Sequence, residues 1–192
     1  LPGYEELASW SQGPVQLPYS GLQLATRFLA THHQRQVLSL DVGSGATSMV
    51  WAGGELCSRV VLGSFGLGYG VARILAQQGV ERIRRWLPFP ATSEEIRTWV
   101  LNRALRPRTV STGVRDFILQ QALAREAVIA AAERLRAQGM PGFEMVVASG
   151  GVARAPRLSQ SLMMLLDALE PASEEASGLV SLYLDPYGLV PS

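Results

Sequence analysis

Residues 36–63 contain three short apolar runs separated by glycine-bearing turns. The runs are "QVLSLDV" (36–42), "SMVWAG" (48–53) and "LCSRVVLG" (56–63), and their close spacing predicts an antiparallel meander of two hairpins. After a long stretch of helical spacing, "FEMVVASGG" (143–151) returns to the pattern of a short buried strand. We therefore expect an α/β fold in which helices flank a mixed sheet.

Helical patterns and one more strand fill the rest of the chain. Thr92 followed by Glu95 is a capping-box pattern, which marks the start of a helix. The predicted helices are 20–33, 68–79, about 93–105, about 114–138 and one that Pro156 opens. In the longest of them we expect the alanine-rich middle to face the sheet and the charged residues to form a solvated stripe. A last strand is predicted over 178–185.

The length and composition indicate one globular domain. The chain has 192 residues, of which 47% are hydrophobic, enough for a single core. We treat 1–192 as one lobe in which 1–35 form a leading segment and a helix. The first residue is not methionine and the last ones follow an apolar stretch, so we expect a fragment of a longer protein.

Several classes of function are excluded by residue usage. The net charge of +1 gives no electrostatic footprint for nucleic acid or an anionic membrane, and we expect neither as a partner. The 17 basic residues are all arginine, which excludes a Walker A loop and lysine catalysis. Neither a signal peptide nor a membrane-length apolar run is visible, so a cytoplasmic location is expected.

Cysteine and histidine are too scarce for a disulfide framework or a zinc cluster. Cys57 is the only cysteine, and we expect it to be a small core residue. The only histidines, His32 and His33, are expected at a helix end.

Two turns of small residues follow apolar strands. We name Asp41–Ser48 the first turn and Ser149–Arg154 the second turn. Small side chains let a ligand approach the backbone, where consecutive amides can bind phosphate oxygens. A carboxylate at a strand end can hold magnesium through water or orient an attacking water. A plain hairpin and a tight strand-to-helix turn use the same residues, so both interpretations stay open at this point.

Two other segments are interpreted as structural. "GSFGLGYG" (63–70) resembles a glycine loop but is assigned as an ordinary connection. "ERIRRW" (81–86), with three arginines beside Trp86, is assigned as a solvated helix face.

The two turns in this order resemble the phosphate-2 and adenosine motifs of the sugar kinase, heat-shock chaperone and actin superfamily of ATPases. "LSLDVGSGATSMV" is similar to the former and "MVVASGGVARAP" to the latter. Within that superfamily the chain is most similar to the MutL-type proteins associated with glutamate mutase. "LPGYEEL", "GLGYGVARIL", "SGGVARAP" and "LYLDPYGLVP" carry this likeness. The resemblance implies one ribonuclease-H-like lobe of an actin-like ATPase.

The resemblance also implies a site for ATP or ADP with Mg²⁺. It places Asp41 as the catalytic and metal-binding carboxylate near the γ-phosphate. Donors to phosphate are expected from Gly43, Ser44, Gly45 and Thr47. Residues that border the adenosine are expected to be Gly150, Gly151 and Val152. A fold that put Asp41 and Gly150 on different faces would contradict this interpretation.

Three functions remain open. The first is a nucleotide-binding lobe that reactivates or assembles an adenosylcobalamin-dependent mutase, with the protein's first lobe and the mutase as partners. The second is a degenerate protein-interaction domain, because the chain has Ser48 and Met49 where the family has threonine and an acidic residue. The third is half of a small-molecule kinase. In each case we expect the isolated lobe to be inactive as an enzyme, because half of the cleft would be missing.

Overall fold

The computed structural model describes residues 10, 18–111, 113–154, 158–170 and 179–190. The strands in these residues are β1 (Val37–Val42), β2 (Ala46–Gly53), β3 (Leu56–Gly63), β4 (Met145–Gly150) and β5 (Ser181–Asp185). The helices are α1 (Pro18–His33), α2 (Val71–Gln78), α3 (Val80–Arg84), α4 (Ser93–Leu105), α5 (Val114–Ala137) and α6 (Leu158–Leu169). The predicted helix start at Pro156 and the strand start at residue 178 lie outside the described residues.

The five strands form one mixed sheet in the order β3-β2-β1-β4-β5. β2 is antiparallel to both β1 and β3, whereas β4 is parallel to β1 and to β5. The predicted pair of hairpins is therefore confirmed, and the connections between the parallel strands contain helices. This mixed sheet, flanked by helices, confirms the α/β fold that was expected.

Helices cover both faces of the sheet, as the alternation of its side chains requires. Leu38, Leu40 and Val42 of β1 point into the larger core, which α5 closes with its buried alanines. Val37 points the other way and packs with Ala30 of α1. The alanine-rich part of α5 thus faces the sheet as predicted, because small side chains let the helix approach closely.

Local signals explain where several helices begin and end. Thr92 caps α4 through the complete capping box, with Glu95 N donating to Thr92 Oγ1 and Thr92 N donating to Glu95 Oε2. The predicted helix over 68–79 stops at Gly79, whose φ of +81° breaks the helical path before α3. His32 and His33 lie in the last turn of α1, as expected.

The solvated interpretation of two charged segments is wrong in part. Glu126 of α5 is fully buried rather than part of an exposed stripe. Its Oε1 accepts a hydrogen bond of 2.7 Å from Trp86 Nε1, and its Oε2 lies 3.0 Å from Arg82 Nε. Two arginines of "ERIRRW", Arg82 and Arg85, therefore form ion pairs with a buried carboxylate. Cys57 is half-buried at the edge of the smaller core rather than inside it.

Candidate functional site

The two turns of small residues lie side by side at one edge of the sheet. β1 and β4 are parallel neighbours, and their register pairs Asp41 with Ser149 and Val42 with Gly150. Both turns therefore leave the sheet at the carboxyl ends of adjacent strands, where α/β folds bind ligands. The condition set by the sequence, that Asp41 and Gly150 share a face, is met.

The contact between the turns requires glycine at position 150. Gly150 has φ of +77°, in the left-handed region that other residues rarely adopt. A Cβ added there would lie 2.5 Å from both Asp41 Oδ1 and Val42 O. Gly151 N also donates a hydrogen bond of 2.8 Å to Val42 O. The second turn thus rests directly on the end of β1 and beside the Asp41 carboxylate.

The segment 63–70, which we name the glycine loop, covers the first turn. Leu67 N donates to Gly43 O at 2.9 Å, and the amides of Gly68 and Tyr69 both donate to Ser44 O at 2.9 Å. A Cβ at Gly66 would collide with the backbone of Ser44. The interpretation of this loop as an ordinary connection missed its role. The signal was the alternation of glycine at 66, 68 and 70, which allows backbone to pack on backbone.

A cleft of about 710 Å³ opens between the two turns and the segment that follows α4. This volume is within the range of small-molecule sites. Its charged lining groups are the Asp41 carboxylate and the guanidinium groups of Arg103, Arg108 and Arg154. Arg154 belongs to the second turn, whereas the sequence pattern did not single out Arg103 and Arg108, which only the folded chain brings to the cleft.

The predicted site residues divide between the cleft and its surroundings. Those that line the cleft are Asp41, Gly43, Ser44, Gly150 and Gly151. Gly45 is exposed next to it, whereas Val152 is fully buried behind it. The Gly43 amide donates to Ala46 O at 2.9 Å within the hairpin. In the described residues, nothing accepts a hydrogen bond from the amides of Ser44 and Gly45.

Thr47 is held by the core rather than by the cleft. Its side chain is fully buried, and Oγ1 donates a hydrogen bond of 2.6 Å to Phe65 O. The single hydroxyl proton is therefore used in attaching the glycine loop to β2. The expectation that Thr47 offers this donor to a ligand does not fit the geometry.

A second carboxylate lies at the same edge of the sheet. Asp185 ends β5, in register with Ser149, whose Oγ lies 3.4 Å from Asp185 Oδ2. Val190 N donates to the same oxygen at 2.8 Å. The site prediction omitted Asp185, although it ends the last predicted strand. Its oxygens are engaged by the turn that follows β5.

The two carboxylates have opposite electrostatic environments. Burial raises the pKa of Asp41 above its ordinary value, an effect that Arg154 opposes and Asp185 reinforces. Burial also acts to raise the pKa of Asp185, but the amides of Val190, Leu189 and Gly188 together hold it below its ordinary value. Asp41 is thus a partly desolvated carboxylate that a cation in the cleft would stabilise in its charged form.

The described residues form a mixed α/β fold with a cleft where two small-residue turns adjoin at the carboxyl ends of β1 and β4. A family model described as "MutL protein" matches residues 1–191, so the chain belongs to the MutL protein family. No curated protein matches it.

The solved structures to which this chain is similar include proteins of different kinds. They include a PilM-PilN type IV pilus biogenesis complex, with 21% identity and a TM-score of 0.46, covering 92% of this chain and 44% of that one. A ROK hexokinase from Thermus thermophilus has 21% identity and a TM-score of 0.45, and the match covers 100% of this chain and 68% of that one. Component A of (R)-2-hydroxyglutaryl-CoA dehydratase from Acidaminococcus fermentans has 13% identity and a TM-score of 0.44, and the match covers 98% of this chain and 69% of that one. This chain therefore spans less than half the length of the pilus protein and about two thirds of the length of each of the other two proteins.

Two properties of the described residues bear on the expected metal and on the expected location. No group of three His, Cys, Asp or Glu side chains within them is arranged to hold a metal ion by itself. None of the helices in the described ranges has the length and hydropathy needed to cross a bilayer.

Proposed function

We propose that the chain binds a nucleotide, ATP or ADP, in the cleft between the two turns. The observation that carries this proposal is the register of β1 and β4, which sets two small-residue turns side by side around one cavity. The amides of Ser44 and Gly45 supply backbone donors on one side. Arg103, Arg108 and Arg154 supply positive charge suited to phosphate groups.

Magnesium fits this site only as an ion that phosphate and water help to hold. Protein magnesium sites commonly use one or two carboxylates together with substrate phosphates. Asp41 lines the cleft, and burial disfavours the charged form of its carboxylate. A nearby cation would offset this desolvation cost. We therefore propose that Asp41 holds the magnesium ion together with the phosphate groups of the nucleotide. When bound, the ion would neutralise phosphate charge.

A second part of the proposal concerns the activity of the longer protein to which this chain would belong. We infer that this chain is the second lobe of an actin-like ATPase, because its two turns resemble the phosphate-2 and adenosine motifs in that order. Hydrolysis would then require the other lobe. Membership of the MutL protein family, and the resemblance to its mutase-associated members, support a cytoplasmic role in reactivating or assembling an adenosylcobalamin-dependent mutase.

A second candidate function is a protein-interaction domain that has lost catalysis. It is favoured by Ser48 and Met49, which replace the polar and acidic residues of the family pattern. Met49 is fully buried, and Ser48 pairs with Asp41 across the hairpin. Met49, at the position of the family's acidic residue, is thus part of the core and supplies no carboxylate to the cleft. A small-molecule kinase is the third candidate, and phosphoryl transfer to a metabolite would identify it.

Isothermal titration with ADP and ATP, with and without Mg²⁺, tests the leading proposal on this chain and on the longer protein. We expect magnesium-dependent binding that is lost in Asp41→Ala and retained in Glu55→Ala, an exposed acidic residue in the turn between β2 and β3. Absence of binding in both proteins would contradict the nucleotide proposal and favour the interaction domain. Hydrolysis by the longer protein that Asp41→Ala abolishes would refute the interaction domain.

A further inference from the structure

Arg103 is a half-buried cation in the wall of the cleft. It lies on α4 and lines the same cavity as Asp41 and Ser44. Among the described residues no carboxylate lies within ion-pairing distance of its guanidinium, unlike Arg82 and Arg125 elsewhere in the chain. Burial lowers the pKa of Arg103, and the more distant Asp116 only partly offsets this effect. A partly desolvated guanidinium without an ion pair is suited to bind an anion.

Two long hydrogen bonds orient the Arg103 side chain. Nε lies 3.4 Å from Leu67 O, and Nη2 lies 3.4 Å from Gln120 Oε1. Gln120 Oε1 also accepts a hydrogen bond of 2.8 Å from Ser111 Oγ. A guanidinium has five N–H groups, so three remain for a ligand after these contacts.

The position of Arg103 relates it to the first turn. Leu67, which accepts from Arg103, donates its own amide to Gly43 O at 2.9 Å. The next residue, Gly68, fits tightly between Ser44 and Pro107 O, since a Cβ there would lie 2.9 Å from that oxygen. One residue of the glycine loop, Leu67, therefore separates the guanidinium from the first turn.

We propose that Arg103 is an anion-binding residue of the cleft and contacts the phosphate groups of the ligand. This inference rests on the proposed nucleotide site and identifies the cationic side chain that would recognise the phosphate end of the nucleotide. Nothing in the residue pattern of α4 distinguished Arg103 from its neighbour Arg97, which lies on the same helix but is exposed. Arg97 supplies a control for the same change of charge.

The test compares titrations of ADP, adenosine and inorganic pyrophosphate with the wild-type chain, Arg103→Gln and Arg97→Gln. We expect Arg103→Gln to weaken ADP and pyrophosphate binding about tenfold or more, which is about 1.4 kcal/mol, and to leave adenosine binding unchanged. Arg97→Gln should bind all three as the wild type does. Equal weakening of ADP and adenosine, or no weakening of either, would overturn the proposal.

Two further outcomes separate this inference from the nucleotide site itself. If the wild type binds pyrophosphate but no nucleotide, the nucleotide proposal fails, and Arg103 stands or falls by the pyrophosphate result. If it binds neither, both proposals are wrong. Thermal unfolding checks that each variant folds. Should Arg103→Gln not fold, Arg103→Lys keeps the charge but loses the planar fork, and it should weaken ADP without weakening adenosine. An equal loss of both by Arg103→Lys would overturn the proposal.

Discussion

Replacing Gly150 with alanine should destabilise the protein through two separable effects. A residue with a Cβ costs about 1–2 kcal/mol in the left-handed region, where Gly150 lies at φ of +77°. The new Cβ would also lie 2.5 Å from Asp41 Oδ1 and from Val42 O. Overpacking of this kind costs about 1–3 kcal/mol, because the backbone of β1 must move. The expected total is about 2–5 kcal/mol.

Two other glycines isolate the contributions. Gly139 has φ of +88° but no atom within 4 Å of an added Cβ, so Gly139→Ala should show the backbone cost alone, about 1–2 kcal/mol. Gly45 in the first turn has neither a positive φ nor a close atom, so Gly45→Ala should change stability by less than about 0.5 kcal/mol.

Urea and thermal unfolding of the three variants provide the assay. For a chain of this size about 1 kcal/mol shifts Tm by ~2–4 °C, so Gly150→Ala should lower Tm by roughly 4–20 °C. A loss no greater than that of Gly139→Ala would refute the steric part, since it would mean that the two turns are not in close contact. A substantial loss in Gly45→Ala would refute the use of these distances altogether.

Other substitutions test the core and the carboxylates. Glu126→Ala should cost about 1–3 kcal/mol in unfolding free energy, because it leaves the indole N–H of Trp86 without its partner, whereas the partly exposed guanidinium of Arg82 can turn to water; Glu133→Ala, at an exposed ion pair, should cost under about 1 kcal/mol. Thr47→Val should cost about 1–3 kcal/mol by leaving the Phe65 carbonyl unpaired, and Thr47→Ser should recover most of that loss. Asp41→Asn should raise Tm at pH 7, because the raised pKa of Asp41 means that folding disfavours its charge, and the gain over wild type should shrink as the pH falls through the folded pKa. Asp185→Asn should lower Tm at pH 7, since the lowered pKa of Asp185 contributes stability above its unfolded pKa, and that difference should vanish as the pH falls through the folded pKa.

Patterns along the chain predicted the elements of the sheet well, because the relevant forces are local. The meander over 36–63 is set by apolar runs and short turns, and the observed β1, β2 and β3 match it closely. Thr92 and Glu95 located the start of α4 to the residue, since a capping box satisfies orphan amides within four residues of chain. The order of the elements then limited the sheet to few arrangements.

The composition of the site was less predictable, because it depends on contacts between distant segments. Arg103 comes to the cleft only through the packing of α4 beside the glycine loop. Asp185 comes to the same edge of the sheet, beside Ser149, because β5 pairs in parallel with β4. Thr47 was predictable in principle: it shares its side of β2 with Met49 and Trp51, both buried in the larger core, so strand alternation already pointed its hydroxyl inward.

The central position of β1 also bears on how the protein folds. Its hairpin with β2 involves neighbours in sequence and can form early, whereas its other partner arrives much later in the chain. The hydrogen bond between Gln36 N and Glu144 Oε2, beside the start of both strands, joins residues 108 positions apart. At ribosomal rates of about 5–20 residues per second, β4 emerges roughly 5–20 s after β1. A nascent chain would therefore carry an exposed strand edge through that interval, and capture of ligand by the cleft would report completion of the sheet.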